Sequence, residues 1–75
     1  MEKYIALFKA VEVGSFTKAA ELLGYTQPAL SQMIASLEKK LSVKFLCRSR
    51  YGAALTPKGK RLYPSIQSNI LQYGS

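Results

Sequence analysis

Histidine, tryptophan and aspartate are absent from this sequence of 75 residues, and cysteine occurs once, as Cys47. One thiol without any imidazole cannot assemble a zinc site, and one cysteine cannot form a disulfide within the chain. A Ser-His-Asp triad is excluded because two of its members are missing. Four scattered glutamates are also a poor basis for acid–base catalysis. We therefore expect neither an enzyme nor a protein that carries a metal or another cofactor.

Long apolar runs are missing as well. None approaches the roughly 20 residues that a helix needs to cross a bilayer. The N-terminus is unlike a signal peptide, because Glu2 stands early and further charges interrupt the apolar stretch. A chain of this length allows one domain, which buries only about 60% of its unfolded surface. These features predict a small globular domain in the cytoplasm, without a membrane partner.

Acidic residues are scarce, and the positive charge is concentrated in one block. Residues 1–38 contain three basic and four acidic side chains, whereas residues 39–61 contain eight basic side chains and no acidic one. A net charge of +7 gathered in this way is typical of proteins that bind polyanions. Nucleic acid is the first candidate and an anionic membrane surface is the second. A basic surface that is merely solvated is the alternative to both.

The first predicted helix covers residues 2–13, because Ile5, Phe8 and Val11 recur at the spacing of one helical face. This face is expected to be buried, with charged residues on the other side. Gly14 is the expected end of the helix, since glycine accepts the left-handed conformation of a C-cap.

A short second helix is predicted over residues 16–23. Ser15 precedes it as an N-cap, and Gly24 follows it as a C-cap. Ala19 and Ala20 have little side chain, so another helix can approach closely at these positions.

A third helix is expected after Thr26, whose hydroxyl can cap it, with Pro28 in the first turn, where a missing N–H costs nothing. One side of this helix carries large apolar residues up to Leu41. The opposite side is small and polar, and it consists of Pro28, Ser31, Gln32, Ala35 and Lys39. Such a surface is poor for burial and suited to close contact with a grooved partner.

Beyond the third helix the pattern predicts a basic hairpin. Residues 43–46 are expected to form one strand, residues 48–52 the turn, and residues 53–56 the returning strand. Cys47 is expected to be a small buried side chain.

A fourth helix is expected from Thr56 and Pro57, which form a cap and a first helical position. Pro64 should kink this helix or loosen its first turns. Its apolar stripe consists of Leu62, Ile66, Ile70 and Tyr73. This stripe can cover its own domain or pair with a second subunit, and we favour the second subunit.

Two helices joined by a tight turn that contains glycine, the second with a small polar outer face, form a helix-turn-helix. The second helix of such a motif can enter a major groove about 12 Å wide. The basic hairpin that follows would then be a wing, whose arginines reach a minor groove or the flanking phosphates.

At this point the sequence resembles the opening of LysR-type transcriptional regulators. The resemblance is carried by Gly-Ser-Phe-Thr-x-Ala-Ala at residues 14–20, by Thr-Gln-Pro-Ala-x-Ser at residues 26–31, and by Leu-Thr-Pro-Lys-Gly at residues 55–59. It covers essentially the whole chain from Ile5 onward. The combination of these segments at the right separation is much more specific than any one of them.

The resemblance implies a mainly α fold, a winged helix-turn-helix with a two-stranded β wing and the start of a C-terminal linker helix. The DNA-binding domain would occupy residues 1–57, with the helix-turn-helix at about 16–40, and the linker helix would begin in residues 58–75. We expect the effector-binding domain that follows in this family to be absent, and therefore expect no small-molecule effector. The implied function is sequence-specific binding of double-stranded DNA in bacterial transcription regulation.

The same resemblance implies a homodimer on an interrupted inverted repeat. The dimer contacts would come from the stripe of the fourth helix. The expected DNA contacts are Thr17, Lys18, Thr26, Gln27, Pro28, Ser31, Gln32, Lys39, Arg48 and Arg50. Simpler interpretations exist for several of them. Thr26 can be a cap alone, and Arg48 can be a structural arginine that pairs with Glu38 or with backbone carbonyls.

The sequence departs from the family pattern at three places. Gln32 stands where arginine is frequent, and glutamine pairs with adenine whereas arginine reads guanine. Ser42 stands where glycine is usual, and Phe45-Leu46-Cys47 replaces a more usual Leu-Phe-x order.

Two other functions compete with DNA binding. The chain can be a protein–protein module that pairs with full-length subunits through the fourth helix and inactivates them. It can also be a basic amphipathic peptide that lies on anionic lipid.

Overall fold

The computed structural model describes the backbone of residues 2–49 and 52–74 and the side chains of residues 2–49 and 52–68. Its elements in chain order are α1 (Glu2–Val13), α2 (Phe16–Leu23), α3 (Gln27–Leu41), β1 (Leu46–Ser49), β2 (Gly52–Leu55) and α4 (Pro57–Gly74). The predicted bounds of α1 and α2 are confirmed, and α3 starts directly after its predicted cap. Within the described ranges, no helix is both long and apolar enough to cross a bilayer.

Local caps determine where α2 and α3 begin. The Ser15 hydroxyl accepts a 3.2 Å hydrogen bond from the backbone N–H of Lys18, and the Thr26 hydroxyl accepts one of 3.3 Å from that of Ala29. Between them, Gly24 ends α2 in the left-handed conformation, at φ 78°. Three residues that the sequence identifies therefore set the start of α2 and the turn between α2 and α3.

The core lies where the first three helices meet. Its buried members are Ala6, Leu7, Ala10, Ala19, Ala20, Leu30, Ile34, Leu37, Phe45 and Leu46. The predicted apolar face of α1 is partly wrong, because Ile5 is 46% exposed. The helix turns Leu7 and two alanines inward instead, since small side chains let α1 approach α2 and α3 closely. Phe8 and Val11 are half-buried at the edge of this core.

The predicted two-stranded wing is confirmed, but its first strand begins later than predicted. β1 begins at Leu46 and pairs antiparallel with β2, with Leu46 opposite Leu55 and Ser49 opposite Gly52. The expectation of a strand at residues 43–46 is wrong, because the backbone N–H of Phe45 is bonded to the side chain of Glu38.

Side chains alternate between the two faces of the wing, so that Leu46 is buried and its neighbour is not. The expectation that Cys47 is buried is therefore wrong, because this residue lies on the outer face of β1 and is exposed. Of the predicted turn, Arg50 and Tyr51 lie outside the described residues.

α4 starts where the chain passes close to the loop that precedes the wing. The Thr56 hydroxyl accepts a 3.0 Å hydrogen bond from the N–H of Gly59 and donates to the carbonyl of Lys44. A Cβ on Gly59 would lie 2.7 Å from the carbonyl oxygen of Phe45, so only glycine fits here. α4 continues past Pro64 to the end of the described chain.

Candidate nucleic-acid interface

The small polar face of α3 is open. Pro28, Gln32, Ala35 and Lys39 are exposed, and Ser31 is half-buried. The opposite side of the same helix supplies three buried residues to the core. α3 is therefore held by one face and presents the other, as a helix that enters a groove requires.

Residues at the starts of α2 and α3 flank this face. Thr17 and Lys18 are exposed in the first turn of α2. Thr26 is exposed and caps α3, so its capping role is present whether or not it also contacts DNA. Gln27 is half-buried at the first position of α3.

Arg48 reaches from the wing to the start of α3. Its side chain is exposed on β1, and its Nη2 donates a 3.1 Å hydrogen bond to the hydroxyl of Ser31. The guanidinium carbon lies 4.8 Å from the centre of the Phe16 ring, which is a cation–π distance. The wing and both helices of the helix-turn-helix are thus joined through one side chain.

Gln27 belongs to the same network. The carboxamide orientation that matches donors to acceptors turns its oxygen toward the guanidinium, where it accepts from Nη1 at 3.1 Å and from Nη2 at 2.5 Å. In this orientation the oxygen also accepts from the Ser31 hydroxyl at 3.2 Å. We define Gln27, Ser31, Arg48 and Phe16 as the arginine network. The sequence identifies three of these residues as separate DNA contacts but does not indicate that they touch each other.

Glu38 is not the partner of Arg48. Its Oε2 accepts hydrogen bonds from the backbone N–H groups of Phe45 at 2.7 Å and Leu46 at 3.1 Å. The alternative that pairs Arg48 with Glu38 is therefore wrong, and its partners are the side chains of Ser31 and Gln27. Its contact with DNA remains a prediction.

Exposed positive charges lie at the C-terminal end of α3 and further along the chain. Lys39 and Lys40 lie exposed in its last turn, and Lys44 lies exposed before the wing. The exposed cations at the start of α4 are Lys58, Lys60 and Arg61. Sequence reasoning missed Lys3, whose Nζ donates a 2.8 Å hydrogen bond to the hydroxyl of Ser36 on α3, because no local pattern links α1 to α3 at this point.

Two of the expected dimer contacts, Leu62 and Ile66, fall within the described side chains. Leu62 is 37% exposed and Ile66 is half-buried against the core. Both line an apolar groove with Tyr4, Leu41 and Val43. The side chains of Ile70 and Tyr73 lie outside the described residues.

Tyr63 joins α4 to α1. Its ring meets that of Phe8 edge to face, with centroids 5.5 Å apart. Burial raises the pKa of the Tyr63 phenol above its ordinary value, and the negative charge of Glu12 raises this pKa further. The contact ties the start of α4 to the helical core.

Three packed helices, the last with an open polar face, and an antiparallel hairpin beside that face define a winged helix-turn-helix domain. The family described as "Bacterial regulatory helix-turn-helix protein, lysR family" has a sequence model that matches residues 1–60. The chain belongs to this family, as the segments at residues 14–20 and 26–31 imply.

Individual relatives agree with this assignment. The chain is 44% identical over 64 residues to the nitrogen assimilation regulatory protein nac of Escherichia coli (strain K12), covering 85% of this chain and 21% of that protein. It is 37% identical over 67 residues to the HTH-type transcriptional activator BauR of Pseudomonas aeruginosa, covering 88% of this chain and 22% of that protein. The chain thus spans about a fifth of the length of these curated relatives.

Solved structures share the fold over nearly the whole chain. The crystal structure of the CbnR_DBD-DNA complex superimposes with a TM-score of 0.85 at 26% identity, covering 97% of this chain and 84% of that one. The crystal structure of the BenM_DBD/benA site 1 DNA complex gives a TM-score of 0.77 at 35% identity, covering 96% and 87%. The predicted winged helix-turn-helix is therefore confirmed.

Proposed function

We propose that this chain binds double-stranded DNA with sequence specificity and acts in bacterial transcription regulation, not as an enzyme. In this proposal α3 lies in a major groove, and the wing lies on the flanking minor groove or backbone. The observation that carries the proposal is the open polar face of α3 beside exposed lysines at its C-terminal end. Because the chromosome is in the cytoplasm, the protein would act there.

The individual residues take different roles in the proposal. Those on or next to the open face of α3 would contact base edges, and those at its margins would contact phosphates. The first group is Gln27, Pro28, Ser31 and Gln32. The second group is Thr17, Lys18, Thr26, Lys39 and Arg48. We propose a DNA contact for Arg50 from its place in the sequence alone. The similar structures described as the CbnR_DBD-DNA complex and the BenM_DBD/benA site 1 DNA complex support DNA binding by a domain of this fold.

The proposal includes a homodimer. Leu62 and Ile66 line an apolar groove that is open in the single chain, and we propose that they contact a second copy together with Ile70 and Tyr73. A second copy across this groove would place two α3 helices on one face of a duplex, as an interrupted inverted repeat requires. Residues 1–57 would then form the DNA-binding domain, and residues 58–75 the start of the dimerisation helix.

Selection of bound duplexes from a random library at a fixed salt concentration tests the proposal. We expect a consensus with two related half-sites. For about six phosphate contacts, a plot of log K against log salt concentration should have a slope near −5. A slope near zero, or a library that yields no consensus, would contradict the proposal.

Two further measurements separate this function from its competitors. A protein–protein module that inactivates full-length subunits need not retard DNA by itself, so a gel shift with the isolated chain distinguishes them. A lipid-binding peptide gains helix only on addition of anionic vesicles. We expect the circular dichroism spectrum in buffer to show the full helical signal already.

A further inference from the structure

The arginine network occupies acceptors that DNA recognition would otherwise use. With the Gln27 carboxamide in the orientation that matches donors to acceptors, both terminal nitrogens of Arg48 donate to its oxygen. Nη2 also donates to the Ser31 hydroxyl. The Phe16 ring lies against the guanidinium and limits the directions in which its fixed fork of N–H groups can point. The network therefore sets the orientation of a carboxamide at the first position of α3.

We propose that Arg48 is a positioning residue: it holds the carboxamide oxygen of Gln27 within the protein, so that Gln27 reads DNA through its amide N–H groups alone. This inference rests on the proposed function and adds a specificity rule to it. It differs from the expectation that Arg48 acts mainly as a cation on a phosphate.

The chemistry of the base edges gives the consequence. A free glutamine pairs with adenine through two bonds, its oxygen accepting from N6 and its nitrogen donating to N7. When the oxygen is already engaged, only donors remain. Guanine offers two acceptors, N7 and O6, in the major groove, whereas adenine presents the N6 donor beside a single acceptor. The base opposite Gln27 should therefore be guanine in preference to adenine.

The two roles for Arg48 predict different results when its side chain is removed. Loss of a phosphate contact weakens binding to all sequences alike and reduces the magnitude of the salt slope by about 1. Loss of the positioning contact frees the Gln27 oxygen and changes the preferred base at one position of each half-site.

The experiment is duplex selection with the wild-type chain and with Arg48→Ala at one salt concentration, followed by binding titrations on the two consensus sequences. We expect Arg48→Ala to shift the guanine-to-adenine ratio at one position about ten-fold toward adenine. Lys44→Ala is the matched control, because it removes one exposed positive charge beside the same wing. It should lower affinity for all sequences and leave the consensus unchanged.

Two further variants make the result specific. Gln27→Ala combined with Arg48→Ala should abolish the gain for adenine. Arg48→Lys keeps the apolar stem and the positive charge of the side chain. It is used in place of Arg48→Ala if Arg48→Ala unfolds at a much lower temperature than the wild type. Because an ammonium cannot reproduce the two-nitrogen fork, Arg48→Lys should shift the ratio toward adenine as well.

The outcomes distinguish this inference from the function on which it rests. If the wild-type chain selects a consensus and Arg48→Ala keeps that consensus with a shallower salt slope, the positioning role is wrong and DNA binding stands. If the wild-type chain selects nothing, the proposed function fails. In the free chain, the side-chain amide NMR signals of Gln27 should move in Arg48→Ala and not in Lys44→Ala, and unmoved signals would overturn the contact itself.

Discussion

The carboxylate of Glu38 accepts a 2.7 Å hydrogen bond from the backbone N–H of Phe45, seven residues further along the chain. The same oxygen accepts from the N–H of Leu46 at 3.1 Å. Phe45 and Leu46 are core residues that are 0% and 3% exposed. One side chain at the end of α3 therefore satisfies the backbone where the chain enters the wing.

Removal of this carboxylate should destabilise the fold. Glu38→Ala leaves the backbone N–H groups of Phe45 and Leu46 without this partner. One unsatisfied buried N–H group alone costs about 1–3 kcal/mol in the free energy of unfolding. Glu38→Gln keeps an acceptor oxygen and should lose about 1 kcal/mol. Urea unfolding followed by circular dichroism measures both. Glu21→Gln is the control, because Glu21 is exposed on α2 and should change stability by less than about 0.5 kcal/mol. If Glu38→Ala and Glu21→Gln changed the free energy of unfolding equally, the hydrogen bonds that Glu38 accepts would not stabilise the fold.

A glycine should stabilise the C-terminus of α3. Ser42 caps this helix in the left-handed conformation, at φ 56°, which costs a non-glycine residue roughly 1 kcal/mol. Ser42→Gly removes that strain and should raise the free energy of unfolding by about 0.5–1 kcal/mol. Ala35→Gly makes a glycine in the exposed middle of the same helix and should lower it by about 1 kcal/mol. The two glycines should thus act with opposite sign in thermal unfolding, and a loss of stability in Ser42→Gly would contradict this account.

Tyr63 should make the stability of the fold depend on pH in the alkaline range. Because burial and then Glu12 raise the pKa of its phenol above 10.0, the folded chain holds this proton more tightly than the unfolded chain. The resulting stability is fully present below pH 10 and is lost as the pH rises through the folded-state pKa. Tyr63→Phe keeps the ring against Phe8, and its urea midpoint should fall less steeply above pH 10 than that of the wild type.

Glu12→Gln serves as the companion variant for this prediction. It removes the negative charge of Glu12, which is the smaller of the two causes of the raised pKa of Tyr63. The absorbance titration of the phenol should therefore move toward lower pH. Identical midpoint profiles for the wild type and Tyr63→Phe would show that the phenol does not contribute.

Local signals in the sequence were sufficient for the helices. Ser15, Gly24 and Thr26 act within three or four residues of their own positions, and the observed caps use the same side chains. The open face of α3 was also predictable, because small and polar residues recur at the helical period. Ile5 was misplaced because the period alone does not show that two alanines of α1 let its neighbours approach closely.

Contacts between distant residues were not predictable from the same signals. β1 starts three residues later than expected because Glu38, on α3, takes the N–H groups that a longer strand would have used. Arg48 and Ser31 are 17 residues apart, and nothing in either local segment indicates that they meet. Gln27, Ser31 and Arg48 could thus be named from the sequence as candidate contacts, whereas the contacts among them required the fold.

Substitution of Gln32 and of Lys39 should distinguish recognition of bases from attraction to phosphates. Both are exposed on the open face of α3. The amide of Gln32 can form hydrogen bonds with a base edge, whereas Lys39 supplies a point charge to the phosphates of the DNA. Gln32→Ala should relax the preference at one base position by about 1–3 kcal/mol. Lys39→Ala should weaken binding to all sequences alike and reduce the magnitude of the salt slope by about 1. Titrations against the selected site and its single-base variants at several salt concentrations measure both effects. If the two variants lost affinity equally for the selected site and for all its single-base variants, the exposed side of α3 would not be the surface that recognises bases.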